Sequence, residues 1–415
     1  MTWFCPRCLH FLLLLAAPLG AGESWPEFRG PHGDGRSDAT SLPLAWSEKE
    51  GVVWKTAIHD RGWSTPVVHG EQVWITTASE DGRKMFAVCA DRASGKVQHD
   101  LLLFENGSPE PLGNDVNCYA SPSPAIEEGR VYVHFGSYGT ACLETWTGRK
   151  LWERRDLPCR HLRGPGSSPV LFEDLLILTM DGFDLQYVVA LDKRTGRKVW
   201  KSDRSFDFSE TDGDLRKAYS TPLFIGAGDR IQMISSGSKA TYAYDPRSGR
   251  ELWKVLYDGF SNASRPVYGE GLVFVNTGFG KADLWAVRPD GSGDVTASRI
   301  AWKCVQAVPL KPSPVFDDGL LFMVNDAGIA SCIEARTGKA VWRQRIGGSF
   351  SASPILAAGR VYFLSQEGKA TVVEAGRSFK VLAESQLDDG FMASPAVAGK
   401  ALFLRTRSHL YRIEG

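Results

Sequence analysis

A hydroxyl residue followed by proline recurs along this chain, and each copy leads into a short apolar stretch. Eight copies follow one another at intervals of 40 to 58 residues. They are Thr65-Pro66, Ser123-Pro124, Ser168-Pro169, Thr221-Pro222, Ser313-Pro314, Ser353-Pro354, Ser394-Pro395 and an altered copy, Arg265-Pro266. Proline suits the first residue of a strand, because its missing N–H costs no ladder bond there. A repeat of this period predicts an array of similar units that pack on their neighbours.

Each unit closes on a second signature, and Ala190 to Trp200 is its fullest copy, with Asp192, Thr195 and Gly196 inside it. Thr-Gly predicts a tight turn between two strands, and the aspartate caps the backbone N–H groups of that turn. We expect the tryptophan to pack on the neighbouring unit while its indole N–H bonds a carbonyl. These structural tryptophans are predicted at Trp54, Trp152, Trp200, Trp253, Trp302 and Trp342.

Four short strands per unit predict an all-β fold, a single eight-bladed β-propeller of four-stranded antiparallel blades. The 43 glycines and 13 tryptophans agree with many tight turns and a recurring aromatic. The eighth unit lacks an outer strand, whereas Val52 to Thr56 precedes the first unit as a spare one. We therefore expect the N-terminal strand to complete the last blade and remove an open edge. Seven blades is the alternative, because the last two units are degraded.

The first 22 residues are predicted to be a signal peptide, with an apolar core from Leu9 to Ala17 and small residues before Glu23. That core is too short to span a bilayer. No cysteine stands at the expected cleavage point, so we expect no lipid anchor. The predicted mature chain, residues 23–415, is one exported propeller domain, periplasmic or extracellular, and a monomer with no membrane span.

Cysteine usage and charge exclude several classes of protein. Six cysteines remain after the predicted cleavage, too few for a disulfide scaffold and not spaced for tetrahedral zinc. Cys118 and Cys159 precede successive units, which makes them a candidate disulfide. The 48 basic and 48 acidic residues give no net charge, so a broadly basic nucleic-acid surface is excluded. No nucleophile-elbow, metalloprotease or phosphate-loop motif is present.

The closing signature resembles the tryptophan-docking repeat of the PQQ-like β-propeller superfamily, also called quinoprotein alcohol dehydrogenase-like. Trp25 to Gly35 is similar to the start of exported PQQ-like repeat proteins. The resemblance covers about residues 25 to 415. It implies two branches: quinoprotein dehydrogenases that use PQQ and a divalent ion, and non-catalytic propellers such as the outer-membrane barrel-assembly scaffold.

The sequence departs from the quinoprotein dehydrogenases. It has no adjacent pair of cysteines, and no motif matches their Glu, Asn and Asp metal ligands. Asn114 to Asn117 offers hard oxygen atoms, but a polar loop is the better interpretation. We therefore expect no cofactor and no catalytic residue, and predict a protein- or ligand-binding scaffold. A PQQ-dependent alcohol or sugar dehydrogenase is the alternative, and a carbohydrate-binding propeller, which would show a row of exposed aromatics, is the second.

The loops before the Ser/Thr-Pro copies should form one rim of the propeller, and this rim leans basic. We predict that it binds an anionic group of a small ligand or of another exported or envelope protein. The predicted contacts are Arg61, Trp63, Tyr219, Arg265 and Lys311. Arg265 stands out because it replaces the hydroxyl of the repeat, and a guanidinium binds a carboxylate or phosphate bidentately. The competing interpretation pairs Arg265 internally.

Overall fold

A computed structural model of the chain describes residues 23–228 and 230–415 as a ring of eight antiparallel blades. The predicted signal peptide lies outside these residues. The strands of blades 1 to 4 are β2 Val67–His69, β3 Gln72–Ala78, β4 Lys84–Asp91, β5 Val97–Glu105; β6 Ala125–Glu127, β7 Arg130–His134, β8 Thr140–Glu144, β9 Lys150–Arg154; β10 Val170–Phe172, β11 Leu175–Asp181, β12 Gln186–Asp192, β13 Lys198–Asp203; β14 Leu223–Ala227, β15 Arg230–Ser236, β16 Ala240–Tyr244 and β17 Glu251–Leu256.

The remaining blades continue in the same order around the ring. Their strands are β18 Val267–Gly269, β19 Leu272–Asn276, β20 Leu284–Val287, β22 Ile300–Cys304; β23 Val315–Asp317, β24 Leu320–Val324, β25 Ile329–Glu334, β26 Ala340–Arg345; β27 Ile355–Ala357, β28 Arg360–Leu364, β29 Lys369–Glu374, β30 Val381–Gln386; β31 Ala396–Ala398, β32 Ala401–Arg405, β33 His409–Ile413 and β1 Val52–Ala57. A short strand from blade 5, β21 Gly293–Asp294, adds to the outer edge of blade 4 in parallel. Among the described residues, the 3-10 turn Gly213–Arg216 before blade 4 is the one helical element.

The ring closes between the two ends of the described chain. β1 pairs antiparallel with β33, with Lys55 opposite Tyr411 and Thr56 opposite Leu410. Blade 8 therefore has the order β1-β33-β32-β31. The prediction of eight blades with an N-terminal closing strand is confirmed, and the alternative of seven blades is wrong.

Indole N–H groups link neighbouring blades at the closing signatures. Five of the six tryptophans donate to a backbone carbonyl of the next blade at 2.9 to 3.1 Å: Trp54, Trp152, Trp200, Trp302 and Trp342. The signature glycine of the next blade lies under the indole ring of the tryptophan. At Gly196 a Cβ would stand 2.7 Å from the Trp152 ring, and its φ of 71° also favours glycine. Thr-Gly thus serves the turn and the interface between blades together.

Two blades use a glutamine relay in place of this direct bond. Trp253 donates to Gln232 Oε1 at 2.8 Å, and Gln232 Nε2 donates onward to the Pro289 carbonyl of blade 5. In blade 1, where His99 replaces the closing tryptophan, Trp74 stacks on His99 and donates to Gln72. Both tryptophans are fully buried. In these two blades a glutamine makes the hydrogen bond to the next blade that a less deeply buried tryptophan makes directly in the other blades.

Residues 25–36 cross the centre of the ring, and we call them the plug. Trp25 exchanges two backbone hydrogen bonds with Val68 of blade 1, at 2.8 and 2.9 Å. At the other end, Leu356 of blade 7 donates to the Gly35 carbonyl. Because these partners lie on innermost strands of different blades, the plug blocks one end of the central channel.

Candidate functional site

The hydroxyl residues of the Ser/Thr-Pro repeat form a hydrogen-bonded ring around the channel. In six places a backbone N–H donates to the hydroxyl oxygen of the following blade, at 2.8 to 3.0 Å. The donor and acceptor pairs are Thr65 to Ser123, Ser123 to Ser168, Ser168 to Thr221, Arg265 to Ser313, Ser313 to Ser353 and Ser353 to Ser394. The hydroxyl therefore has a structural role, because it satisfies a buried amide of the neighbouring blade. We call these hydroxyl residues, together with Thr65, the hydroxyl ring, or the ring for short when its hydroxyls are discussed.

Above the hydroxyl ring lies a cavity of about 350 Å³, which we call the cup. Phe28 of the plug is part of its base, and the loops before the blades form its wall. Its aromatic and apolar lining comes from Phe28, Trp63, Val116, Tyr219, Phe260, Phe279 and Met392. Its hydroxyl lining comes from Ser121, Ser123, Ser168, Thr221, Ser261, Ser351, Ser353 and Ser394. The volume and the mixed lining are those of a site for a small molecule or a short chain segment.

Local structure fixes the aromatic wall. Phe260 and Phe279 lie on two loops of blades 4 and 5 that exchange backbone hydrogen bonds of 3.2 and 2.7 Å. This close approach requires glycine, since a Cβ on Gly278 would stand 1.9 Å from the Asn262 amide oxygen. Trp63 is held by its backbone N–H, which donates to the Ala120 carbonyl at 3.0 Å.

The charged groups of the wall are paired. Arg163 donates two hydrogen bonds to Asp214, at 3.1 and 3.0 Å, and Lys217 reaches the same carboxylate at 2.6 Å. The 3-10 turn capped by Asp212 places Asp214 there. Arg163 holds the pKa of Asp214 down at about 2, and burial lowers the pKa of Lys217. Two cations thus share one carboxylate.

Three of the five predicted rim contacts line the cup, and a fourth, Arg61, lies beside one of them. Trp63, Tyr219 and Lys311 line the cup. The Arg61 guanidinium lies 5.0 Å from the Trp63 ring and pairs with Asp115 at 3.2 Å. Burial raises the pKa of Tyr219 above its ordinary value. The sequence missed Phe260, Phe279 and Met392, which no repeat signature marks.

Arg265 does not face the cup, and its prediction as a ligand contact is wrong. Its side chain is buried beneath the ring and donates to the Pro222 carbonyl, the Phe28 carbonyl and Glu27. The distance to the Glu27 carboxylate is 2.9 Å. Arg265 therefore anchors the plug, which is the internal pairing that the sequence left open.

The candidate disulfide is also wrong, since the thiols of Cys118 and Cys159 are both free and buried. Cys118 Sγ lies 3.3 Å from the Ser121 hydroxyl, while Cys159 Sγ lies 4.0 Å from His161 Nδ1. Burial raises the pKa of both thiols. The two cysteines do precede successive blades, but each side chain packs against its own local partners.

The asparagine side chains of the polar loop from Asn114 to Asn117 make hydrogen bonds within the protein. Asn117 donates to the carbonyls of residues 163, 164 and 165 at 2.8 to 3.2 Å, and its oxygen accepts from Ser121. Asn114 caps Val116. Across residues 23–228 and 230–415, no three His, Cys, Asp or Glu side chains gather as a metal site. Nor does any helix in those ranges have the length and apolarity needed to cross a membrane.

Comparison with known proteins gives a family match. The family described as outer membrane protein assembly factor BamB matches residues 45–224 and 282–378, roughly two thirds of the chain. BamB of Yersinia pestis is 26% identical over 215 residues, which are 47% of this chain and 51% of that protein. The match therefore spans about half the length of that relative.

Solved structures of two kinds share the fold. BamB from Moraxella catarrhalis superposes with a TM-score of 0.63 and 11% identity, over 88% of this chain and 97% of that one. The quinohemoprotein alcohol dehydrogenase from Comamonas testosteroni gives 0.67 and 12%, over 95% and 80%. At these identities the likeness concerns the fold alone, because one fold hosts many functions.

The cup does not fit the divalent ion of the dehydrogenases. Such an ion needs several hard oxygen ligands. Among the described lining residues, Asp214 is the one carboxylate, and it is already shared by Arg163 and Lys217. The amide of Asn117 is occupied by backbone carbonyls. We therefore derive no redox step from this site.

Proposed function

The chain belongs to the family of the outer membrane protein assembly factor BamB, and from this premise we propose that it is an exported, non-catalytic propeller scaffold. Its cup holds a segment of another exported or envelope protein. The observation that carries the proposal is the cup itself: an apolar wall over a hydroxyl ring, with the one carboxylate of the described lining already paired.

The side-chain chemistry supports binding rather than catalysis. Ser408 contacts both His409, at 2.8 Å, and Asp389, at 2.6 Å, on the rim of blade 8. In a catalytic triad the acid orients the histidine and the histidine takes the serine proton. Here Ser408 donates to the acid instead, so the cluster cannot act in that way.

The same lining favours a protein partner over a carbohydrate. A carbohydrate-binding propeller would carry a row of exposed aromatic rings on its rim. Within the described ranges, the one clearly exposed tryptophan is Trp146, which is 67% exposed and lies in the outer turn between β8 and β9. The aromatics of the cup are recessed instead, as in a socket for a chain segment.

Photo-crosslinking in the exporting host tests the scaffold proposal. A photoreactive amino acid at Met392, in the cup, should capture one defined envelope protein, identified by mass spectrometry. The matched control carries the same group at Val199, which is 53% exposed on the outer strand of blade 3, and should capture none. Equal capture from the two positions, or capture from Val199 alone, would exclude the cup as the partner site.

A further inference from the structure

Five ring hydroxyls line the cup and have a proton left to donate. They are Ser123, Ser168, Thr221, Ser353 and Ser394. Each accepts a backbone N–H from the preceding blade. A hydroxyl group has one donor beside its acceptor lone pairs. No described side chain or carbonyl accepts from these five, so the base of the cup is rich in unused donors.

Three buried arginines donate to residues within or next to the Ser/Thr-Pro copies. Arg29 is 1% exposed, and Arg265 and Arg405 are each 2% exposed. Arg265 has a carboxylate partner, Glu27. Arg29 donates to carbonyls alone, those of Asp34, Pro314 and Pro354. Arg405 donates to the Ser64 hydroxyl and the Thr76 carbonyl.

These positions place uncompensated positive charge at the base of the cup. Pro314, Pro354 and Ser64 are each adjacent in sequence to a ring residue. Burial lowers the pKa of Arg29 to about 9 and that of Arg405 to about 10, so both stay protonated at neutral pH. Glu27 pairs with Arg265, and Asp34 and Asp317 pair with Arg36, so these four arginines exceed the three carboxylates by one positive charge. In a buried site the field of such charges is screened less than in water.

The charges around the cup wall add to this excess. Arg163 and Lys217 together face one carboxylate, Asp214. Lys311 is balanced by Asp326 at 2.7 Å, and Arg61 is balanced by Asp115. Around Asp214 the cations therefore outnumber the carboxylates by one, on the side where Arg163 lines the cup.

We infer that the occupant of the cup is an acidic peptide segment, which sets a carboxylate on the ring hydroxyls and packs apolar side chains on the aromatic wall. This inference rests on the proposed function and names the chemistry of the partner. The carboxylate accepts from the unused hydroxyl protons, and charge-assisted hydrogen bonds of this kind are the stronger ones. The apolar wall, from Trp63 to Met392, favours a chain segment over a free small anion.

Calorimetric titration of the whole protein with matched peptides tests the inference. The probes are acetyl-Gly-Phe-Glu-Phe-Glu-Gly-amide and its counterpart with Gln for Glu. We expect the acidic peptide to bind at least tenfold more tightly, and its affinity to fall as sodium chloride is raised. Sodium acetate is the free-carboxylate probe and should bind far more weakly than the peptide.

Variants tie that binding to the cup. Asp214→Asn removes the lining carboxylate and should tighten binding of the acidic peptide about fivefold, which a misfolded protein cannot do. Thr221→Val removes one ring donor, together with the acceptor of the Ser168 N–H, and should weaken binding of the acidic peptide about fivefold. The control Ser220→Ala deletes a neighbouring buried hydroxyl, bonded to the Ser264 carbonyl and outside the cup lining, and should leave the affinity unchanged.

Several results would overturn the inference. Equal affinity for the two peptides, acetate binding as tight as peptide binding, or no tightening in Asp214→Asn would each do so. None of these results would contradict the scaffold proposal, which the crosslinking from Met392 tests. A crosslinked partner whose captured segment is neutral would leave the scaffold standing and remove the acidic occupant.

Discussion

Asp181→Ala is expected to lower the free energy of unfolding by about 3–5 kcal/mol, the usual cost of stranding one partner of a buried ion pair. Asp181 ends β11, and its carboxylate takes two hydrogen bonds from Arg204, at 3.0 and 2.7 Å. Both side chains are 1% exposed. Burial disfavours the charged guanidinium, but Asp181 raises the pKa of Arg204 overall. Without Asp181 the cation stays buried beside Tyr242 and Ser235.

Urea denaturation followed by tryptophan fluorescence measures this loss. The control Asp203→Asn breaks an exposed pair with Lys201, in which Asp203 is 73% exposed, and should change the free energy by less than about 1 kcal/mol. The double variant Asp181→Leu with Arg204→Met should recover at least half of the loss, because it removes the stranded charge as well. A single-variant loss below about 1 kcal/mol would contradict the buried pair.

Gly35→Ala should dislodge the plug and cost about 2–5 kcal/mol. At Gly35 the φ angle is 87°, and an added Cβ would stand 2.4 Å from the Arg29 guanidinium. A positive φ costs an L-residue about 1–2 kcal/mol, and overpacking adds about 1–3 kcal/mol. The guanidinium cannot yield easily, because three carbonyls hold it.

Gly70→Ala is the matched control for this substitution. Its φ is also positive, at 55°, but nothing lies within 4 Å of the added Cβ. It should therefore cost only the backbone part, about 1 kcal/mol. Urea denaturation gives both values, and limited proteolysis near Trp25 reports the plug directly. Equal losses in the two variants, with no new cleavage, would mean that the plug does not depend on this contact.

The propeller was predictable because its constraints are local and repeated. Asp192 caps its turn by accepting from Thr195 at 2.8 Å, as the signature indicates. Gly196 leaves room for the ring of Trp152, so the Thr195-Gly196 dipeptide indicates both a turn and a contact between blades. The eight Ser/Thr-Pro copies, one of them altered, indicate the blade count, and the missing outer strand of the last unit indicates its N-terminal completion.

The site was less predictable because its contacts are remote in sequence. Arg265 stands out in the repeat, but Glu27, its partner, lies 238 residues away in the sequence. Only the plug brings the two residues together, and no spacing between residues in the sequence indicates where the plug runs. Phe260 and Phe279 reach the cup through loops whose shape depends on a glycine contact with Asn262. The ring hydroxyls were visible in the repeat, but their bonds to the next blade were not.

Calorimetric titration of the purified protein with PQQ in the presence of calcium most directly separates a scaffold from a dehydrogenase. Since Asp214 is shared by two cations and Asn117 is occupied, the cup has no ligands left for the ion, and we expect calcium to change neither the heat nor the tryptophan fluorescence of the titration. Saturable binding of PQQ at one site, with micromolar or tighter affinity and only in the presence of calcium, would contradict the non-catalytic scaffold and favour the oxidoreductase alternative.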